Sequence, residues 1–128
     1  MKLLLQVLAV SCLATACKKN TVSPDPVKPK ITINTPVAGQ HFVKGDTIRI
    51  TGIVTHPPGV LEVAVHMTNT ATGNEFFHNH FAAGNQTTYN FNSVYGIPDL
   101  IKATYQVEVE ADDVNGNTSK EELTITVN

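Results

Sequence analysis

From Ile31 onward the chain alternates apolar and polar positions in short runs, and Gly, Pro and Asn/Asp clusters separate the runs. In Tyr105–Ala111, Tyr105, Val107, Val109 and Ala111 take one side while Gln106, Glu108 and Glu110 take the other; Leu123, Ile125 and Val127 repeat the pattern at the end of the chain. A period of two is that of a half-buried strand. No stretch holds a 3.6-residue apolar repeat long enough for a helix. The pattern predicts strands at Ile31–Thr35, Gln40–Val43, Thr47–Thr55, Leu61–Thr70, Glu75–Phe81, Thr87–Ser93, Thr104–Ala111 and Leu123–Val127. Seven or eight short strands in about 100 residues suit an all-β fold, an immunoglobulin-like two-sheet antiparallel β-sandwich.

The first residues follow another pattern. Lys2 leads into an apolar stretch, Leu3–Leu13, then small residues and Cys17, the order of an export signal. The stretch is shorter than the ~20 apolar residues a membrane-spanning helix needs. Ala14-Thr15-Ala16-Cys17 resembles the lipobox of bacterial lipoproteins, which usually has Leu three positions before the cysteine; here Ala14 stands there and Leu13 one residue further back. Cys12 is a second candidate, and cleavage of an ordinary secretory signal is the alternative to lipidation. Cys17 is preferred because it leaves a longer apolar region before it and runs into the polar Lys18-Lys19-Asn20. The expected division is a lipoprotein signal peptide at 1–16, a lipidated N-terminus and Pro-rich tether at 17–29, and the β domain at 30–128. A single acyl chain holds a membrane only marginally, so stable anchoring takes the several chains of a bacterial lipoprotein. With Cys12 removed and Cys17 acylated, no thiol is left for a disulfide.

Composition narrows the partners. A formal net charge of −2, 6% aromatic residues and no tryptophan, without a Lys/Arg cluster, exclude a nucleic-acid stripe.

Two segments carry a resemblance. ITINTPVAGQHFVKGDTIRITG is similar to the opening of bacterial Ig-like domains, and TYQVEVEADDVNGNTS to their penultimate strand and last hairpin, with Tyr105 in the place of the corner tyrosine. Taken with the lipobox and the tether, the chain resembles a family of small bacterial lipoproteins of unknown function with a single histidine-bearing Ig-like domain. The resemblance implies the fold and a place in the cell envelope, anchored in the outer membrane and facing the periplasm or the surface. It supplies no chemistry.

The candidate chemistry comes from FFHNHF, residues 76–81, where His78 and His80 leave the same face of a strand. The turn before it decides what lies opposite. A three-residue loop, Ala71–Gly73, closes on Thr70 and Asn74 and sets Thr68 against Phe76, His66 against His78 and Ala64 against His80. A two-residue Thr72-Gly73 turn shifts the register by one and reverses the faces. The core favours the first, since Leu61, Val63, Val65 and Met67 then align with Phe77 and Phe81, whereas the second buries both imidazoles among aliphatics. Asn79 alone resists, falling on the inward side.

His66, His78 and His80 thus share one face as candidate ligands for zinc or copper(II), with Glu62 as a fourth ligand or as an acceptor for an imidazole N–H. His56 lies toward the same end of the sheet and is a lesser metal or partner contact. Phe76 beside the histidines suggests the other reading, a recognition face for an envelope protein or glycan. Asp112, Asp113 and Asn115 offer oxygens to calcium, but such turns use Asx side chains for their own hydrogen bonds. With no phosphate loop, cysteine nucleophile or Ser/His/carboxylate arrangement, the expectation is a binding lipoprotein and not an enzyme. Acyl-chain mass spectrometry of the mature protein should find fatty acid on Cys17; an unmodified Cys17 removes the anchor.

Overall fold

The computed structural model describes residues 27–97 and 102–128. The signal peptide, Cys17 and most of the tether lie outside the described residues. Six strands are assigned among these: β1 (Lys30–Thr35), β2 (His41–Phe42), β3 (Thr47–Asn69), β4 (Glu75–Gly96), β5 (Ala103–Asp113) and β6 (Thr118–Val127).

The expected eight segments become six strands because two pairs of them are continuous. β3 runs through His56-Pro57-Pro58-Gly59, where its register with β4 shifts between Thr55↔Thr88 and Val60↔Gln86. Proline cannot donate to a ladder, so it belongs at such an irregularity. Gly59 has φ 116, and a Cβ there would stand 2.8 Å from the carbonyl oxygen of Asn85, so only glycine fits the bend. β4 bends opposite it, with positive φ at Gly84 and Asn85.

This long bent hairpin joins the two layers. The first half of β3 pairs with β1 and with the second half of β4; its second half pairs with β5 and with the first half of β4. The sheet then continues β5, β6 and, in parallel, β2. The result is a curled sheet folded on itself as an immunoglobulin-like β-sandwich. Ile48, Ile50, Val54 and Phe91 from one layer meet Val63, Val65, Met67, Val107, Val109 and Ile125 from the other, all at most 2% exposed.

One inward residue differs from the expected set. Leu61 is 47% exposed, because the register shifts between Val60 and Glu62, and Val60 takes the buried place. Asn79 does face inward, opposite Val65, and its Nδ2 donates to Oγ of the buried Ser93 at 3.1 Å. A polar pair satisfies what would otherwise be an unpaired amide.

Close packing between the layers shows most sharply at Gly52. A Cβ there would lie 2.2 Å from the carbonyl oxygen of Thr32 and 2.4 Å from the Phe91 ring. Gly52→Ala should therefore destabilise the domain by about 1–3 kcal/mol in urea unfolding, and an unchanged midpoint would contradict this packing.

Candidate metal centre

The turn between β3 and β4 holds four residues where three were expected. Asn69 N donates to Asn74 O at 2.9 Å and Gly73 N to Asn69 O at 2.9 Å, so the loop is 70–73 and the closing pair is Asn69–Asn74. Asn69 Oδ1 accepts from the backbone N–H groups of Ala71 and Thr72 at 2.9 and 3.2 Å, and Gly73 supplies φ 73. Left uncorrected, an extra loop residue would turn every side chain of β4 to the other face.

A β-bulge corrects it. Thr68 pairs with Glu75 but Met67 pairs with Phe77, so Phe76 is the inserted residue. Beyond the bulge the expected register holds: His66↔His78 and Ala64↔His80. The bulge has two further effects. It puts His78 on the face that Glu75, three residues earlier, already takes through its pairing with Thr68. It also tucks Phe76 in: the ring is half-buried and packs edge-on against the buried Tyr105, centroids 5.6 Å apart. Phe76 is therefore not the outward aromatic that the sequence suggested.

Glu75 is the residue that sequence reasoning missed. Its Oε2 accepts from Nδ1 of His66 at 2.9 Å and its Oε1 from Nδ1 of His78 at 3.1 Å. The hydrogen bond from His66 is the larger influence; with that from His78 it outweighs slight desolvation and holds the Glu75 carboxyl below the usual range. An ionised carboxylate only accepts, so both imidazoles carry their proton on Nδ1. One donor atom each from His66, Glu75 and His78 can be chosen such that all lie within 4.8 Å of one another. The trace in the sequence is the doublet Phe76-Phe77: strict alternation cannot bury two consecutive aromatics, and a bulge can.

His80 belongs to the same face but to another carboxylate. Its ring lies 4.3 Å from that of His78 and 6.2 Å from that of His66, and its Nδ1 contacts Oε1 of Glu62. The expected cluster of His66, His78, His80 and Glu62 is thus assembled on one face yet divided, two imidazoles on Glu75 and one on Glu62. All three rings are partly exposed.

β5 extends the face on the other side of β3, with Glu108 opposite His66, Glu110 opposite Ala64 and Asp112 opposite Glu62. Lys120 bridges Glu108 at 2.9 Å and Glu110 at 2.6 Å. Burial pushes the Glu108 carboxyl up, but the Lys120 hydrogen bond leads the influences that leave it lowered.

His56 lies elsewhere. It points into the protein, fully buried, with Nε2 2.8 Å from Oδ2 of Asp113 and with Nδ1 unpartnered. It shares nothing with the histidine face. Asp113 itself is saturated: its Oδ1 accepts from the N–H groups of Asn115 and Asn117, and its Oδ2 from Nδ2 of Asn117, each at 2.8 Å. The turn consumes the oxygens that calcium would need. Burial pushes the Asp113 carboxyl up, and the hydrogen bonds from Asn117, Asn115 and His56 more than offset it, lowering the value to about 2.

The sequence matches no protein-family model and no curated protein. Among solved structures the fold is similar to CopC from Methylosinus trichosporium OB3b, at 14% identity over 77% of this chain and 94% of that one, TM-score 0.49. It is similar to superoxide reductase (neelaredoxin) from Ignicoccus hospitalis, at 12% identity over 80% and 81% of the chains, TM-score 0.48. A single-substitution variant of that reductase aligns at 13% identity over 79% and 80%, TM-score 0.51. These likenesses are of fold. They nevertheless correct the expectation that the chain is not an enzyme: a domain of this fold is a reductase in Ignicoccus hospitalis, so the lack of a familiar nucleophile or phosphate loop does not exclude catalysis.

The Asp113 network sets a pH dependence. Its folded value, about 2, lies below the ordinary 3.8, so its contribution to stability is complete above the ordinary value and is lost as pH falls from there through about 2. Urea midpoints of the wild type should fall over that window. Asp113→Asn should be less stable at neutral pH and show a shallower decline in acid; parallel curves would contradict the role given to this carboxylate.

Proposed function

We propose that this chain is an exported metal-binding domain, tethered through Cys17 to a membrane of the bacterial envelope, that holds a divalent first-row ion between Nδ1 of His66, Nδ1 of His78 and the carboxylate of Glu75. The observation that carries this reading is the shared carboxylate. Donors bonded at 2.0–2.1 Å to a tetrahedral ion stand about 3.3 Å apart, and the two nitrogen–oxygen separations here are 2.9 and 3.1 Å. An ion would take the place of the two Nδ1 protons, each ring then carrying its proton on Nε2, as the three donors, now within 4.8 Å of one another, draw together.

The donor set points to the kind of ion. Two imidazoles and a carboxylate, with no thiolate, suit copper(II), zinc, iron(II) or nickel. An open sheet face imposes little geometry, so the intrinsic affinity order decides, and copper(II) binds most tightly. Three protein donors on an exposed surface leave positions for water or a small substrate, the arrangement in which a bound ion can do chemistry. Glu62 supports the face by holding His80, as a carboxylate behind an imidazole does.

Recognition of an envelope protein or glycan through the same face has less support. That reading depended on an outward Phe76, and its ring is spent on Tyr105.

Titration of the purified domain with copper(II) and with zinc should give tighter binding for copper(II). His66→Ala, His78→Ala and Glu75→Gln should each weaken binding about tenfold or more, and a His78→Ala/His80→Ala double variant should lose it. Equal affinity in wild type and double variant, or no binding by either, removes the metal reading.

A further inference from the structure

Both halves of β4 are sheet edges. The second half ends the layer that holds β1, the first half ends the layer that holds β5, and among the described residues each pairs with β3 alone. Every second residue of an edge strand turns its N–H and C=O away from the sheet, which makes a template for a further strand. The other edges carry the protections that soluble proteins use. β1 is short, begins with Lys30 and has a register shift between Ile33 and Thr35. β6 carries Lys120, Glu121 and Glu122 and is covered at its end by β2. The first half of β4 is interrupted by the Phe76 bulge. The second half has none of these devices: it follows β3 without a shift from Thr55↔Thr88 to Thr47↔Gly96, and residues 76–97 hold no Lys, Arg, Asp, Glu or Pro.

Aromatic rings flank this edge. Tyr89 lies 6.4 Å from Phe81 and Tyr95 lies 5.2 Å from Phe77, centroid to centroid, so these pairs line the side of the sandwich where both layers end in β4. All four rings are only partly buried. On the outer face Val94 is 49% exposed. Part-covered aromatic rings beside an uncharged strand match the composition of an interface core.

We propose that the Thr88–Gly96 edge pairs with the same edge of a second copy of this chain, antiparallel about a two-fold axis. The lack of charge selects the copy. An uncharged edge puts no like charges opposite each other when it meets itself, and it offers a charged peptide nothing to pair with. Centred on Asn92, the pairing sets Asn90 against Val94, Phe91 against Ser93 and Tyr89 against Tyr95, which keeps the same face inward in both copies. The Arg49 guanidinium on β3 donates to Oδ1 of Asn92 at 3.4 Å. Its counterpart in the second copy stands three strand spacings away, about 14 Å, beyond the ~8 Å over which exposed charges act at physiological salt. One sheet then runs β1, β3, β4 and back through the second copy in reverse order. The histidine face belongs to the other layer and takes no part, so the proposal stands apart from the metal reading.

Sedimentation velocity over a dilution series tests this. The mature chain is used with Cys17→Ser, which removes acyl chains as a cause of association, and with EDTA, which removes bridging ions. It should show monomer and dimer in mass-action exchange. Asn92→Lys should weaken the dimer about tenfold or more, and mixing it with Asn92→Glu should restore a dimer that holds one chain of each. Thr32→Lys, on the exposed edge of β1, should leave the dimer unchanged. Circular dichroism controls for folding. Monomer at every concentration overturns the proposal. A dimer that Asn92→Lys leaves intact, or that Thr32→Lys dissolves equally, places the contact elsewhere and overturns it as well. A dimer seen only without EDTA belongs to bound metal and does the same, while leaving the metal reading in place.

Discussion

The structure depends on a compensation between a turn and a bulge. The β3–β4 loop is one residue longer than the register of the histidines permits, and the insertion of Phe76 restores the register within two residues. If either occurred alone, His78 and His80 would point into the sandwich and Phe77 and Phe81 would face water. Apolar burial settles the matter, because Phe76, Phe77 and Phe81 all pack against the core in the observed arrangement. The carboxylate that joins His66 to His78 comes with it: the longer loop pairs Glu75 with Thr68 on the outward face, and the bulge that follows returns His78 to the same face.

That coupling explains why the fold was readable in the sequence and the site only partly so. Alternation along β5, from Tyr105 to Ala111, is uninterrupted, and those residues are buried as the pattern requires. Inward Val63, Val65 and Met67 follow the same rule. It fails where the strand is irregular: Leu61, beside the shift at Val60, is exposed, and Phe76 is drawn inward. A bulge changes face without changing composition, so counting by twos passes over it. The pairing of His66 with His78 was reachable because the loop and bulge errors cancel. Glu75 was not, since it lies between the longer loop and the bulge, where the two shifts have not yet cancelled.

His56 shows a different limit. A histidine in a Pro-Pro-Gly bend reads as an exposed loop residue, but β3 continues through the bend and carries it inside, where Asp113 receives its Nε2–H. Asp113 belongs to the β5–β6 turn, 57 residues away in the chain, and no local pattern links the two. The pair fastens that hairpin to the bend at which the sheet changes layers. The acidic side chains near the turn thus serve the fold, while those on the flat of the sheet, Glu62 and Glu75, are left to organise the imidazoles.

The histidine face is therefore a product of sheet geometry more than of a cavity: donors stand side by side on paired strands, oriented by two carboxylates and open to solvent. The most direct test is the state of the imidazole nitrogens. Long-range nitrogen–proton NMR spectra of the 15N-histidine protein should show the Nδ1–H tautomer for His66 and His78 without metal, and zinc should shift Nδ1 of both rings to values of a coordinated nitrogen. Nδ1 signals that do not respond to zinc, or coordination through Nε2 alone, would contradict an ion held between these two rings and Glu75.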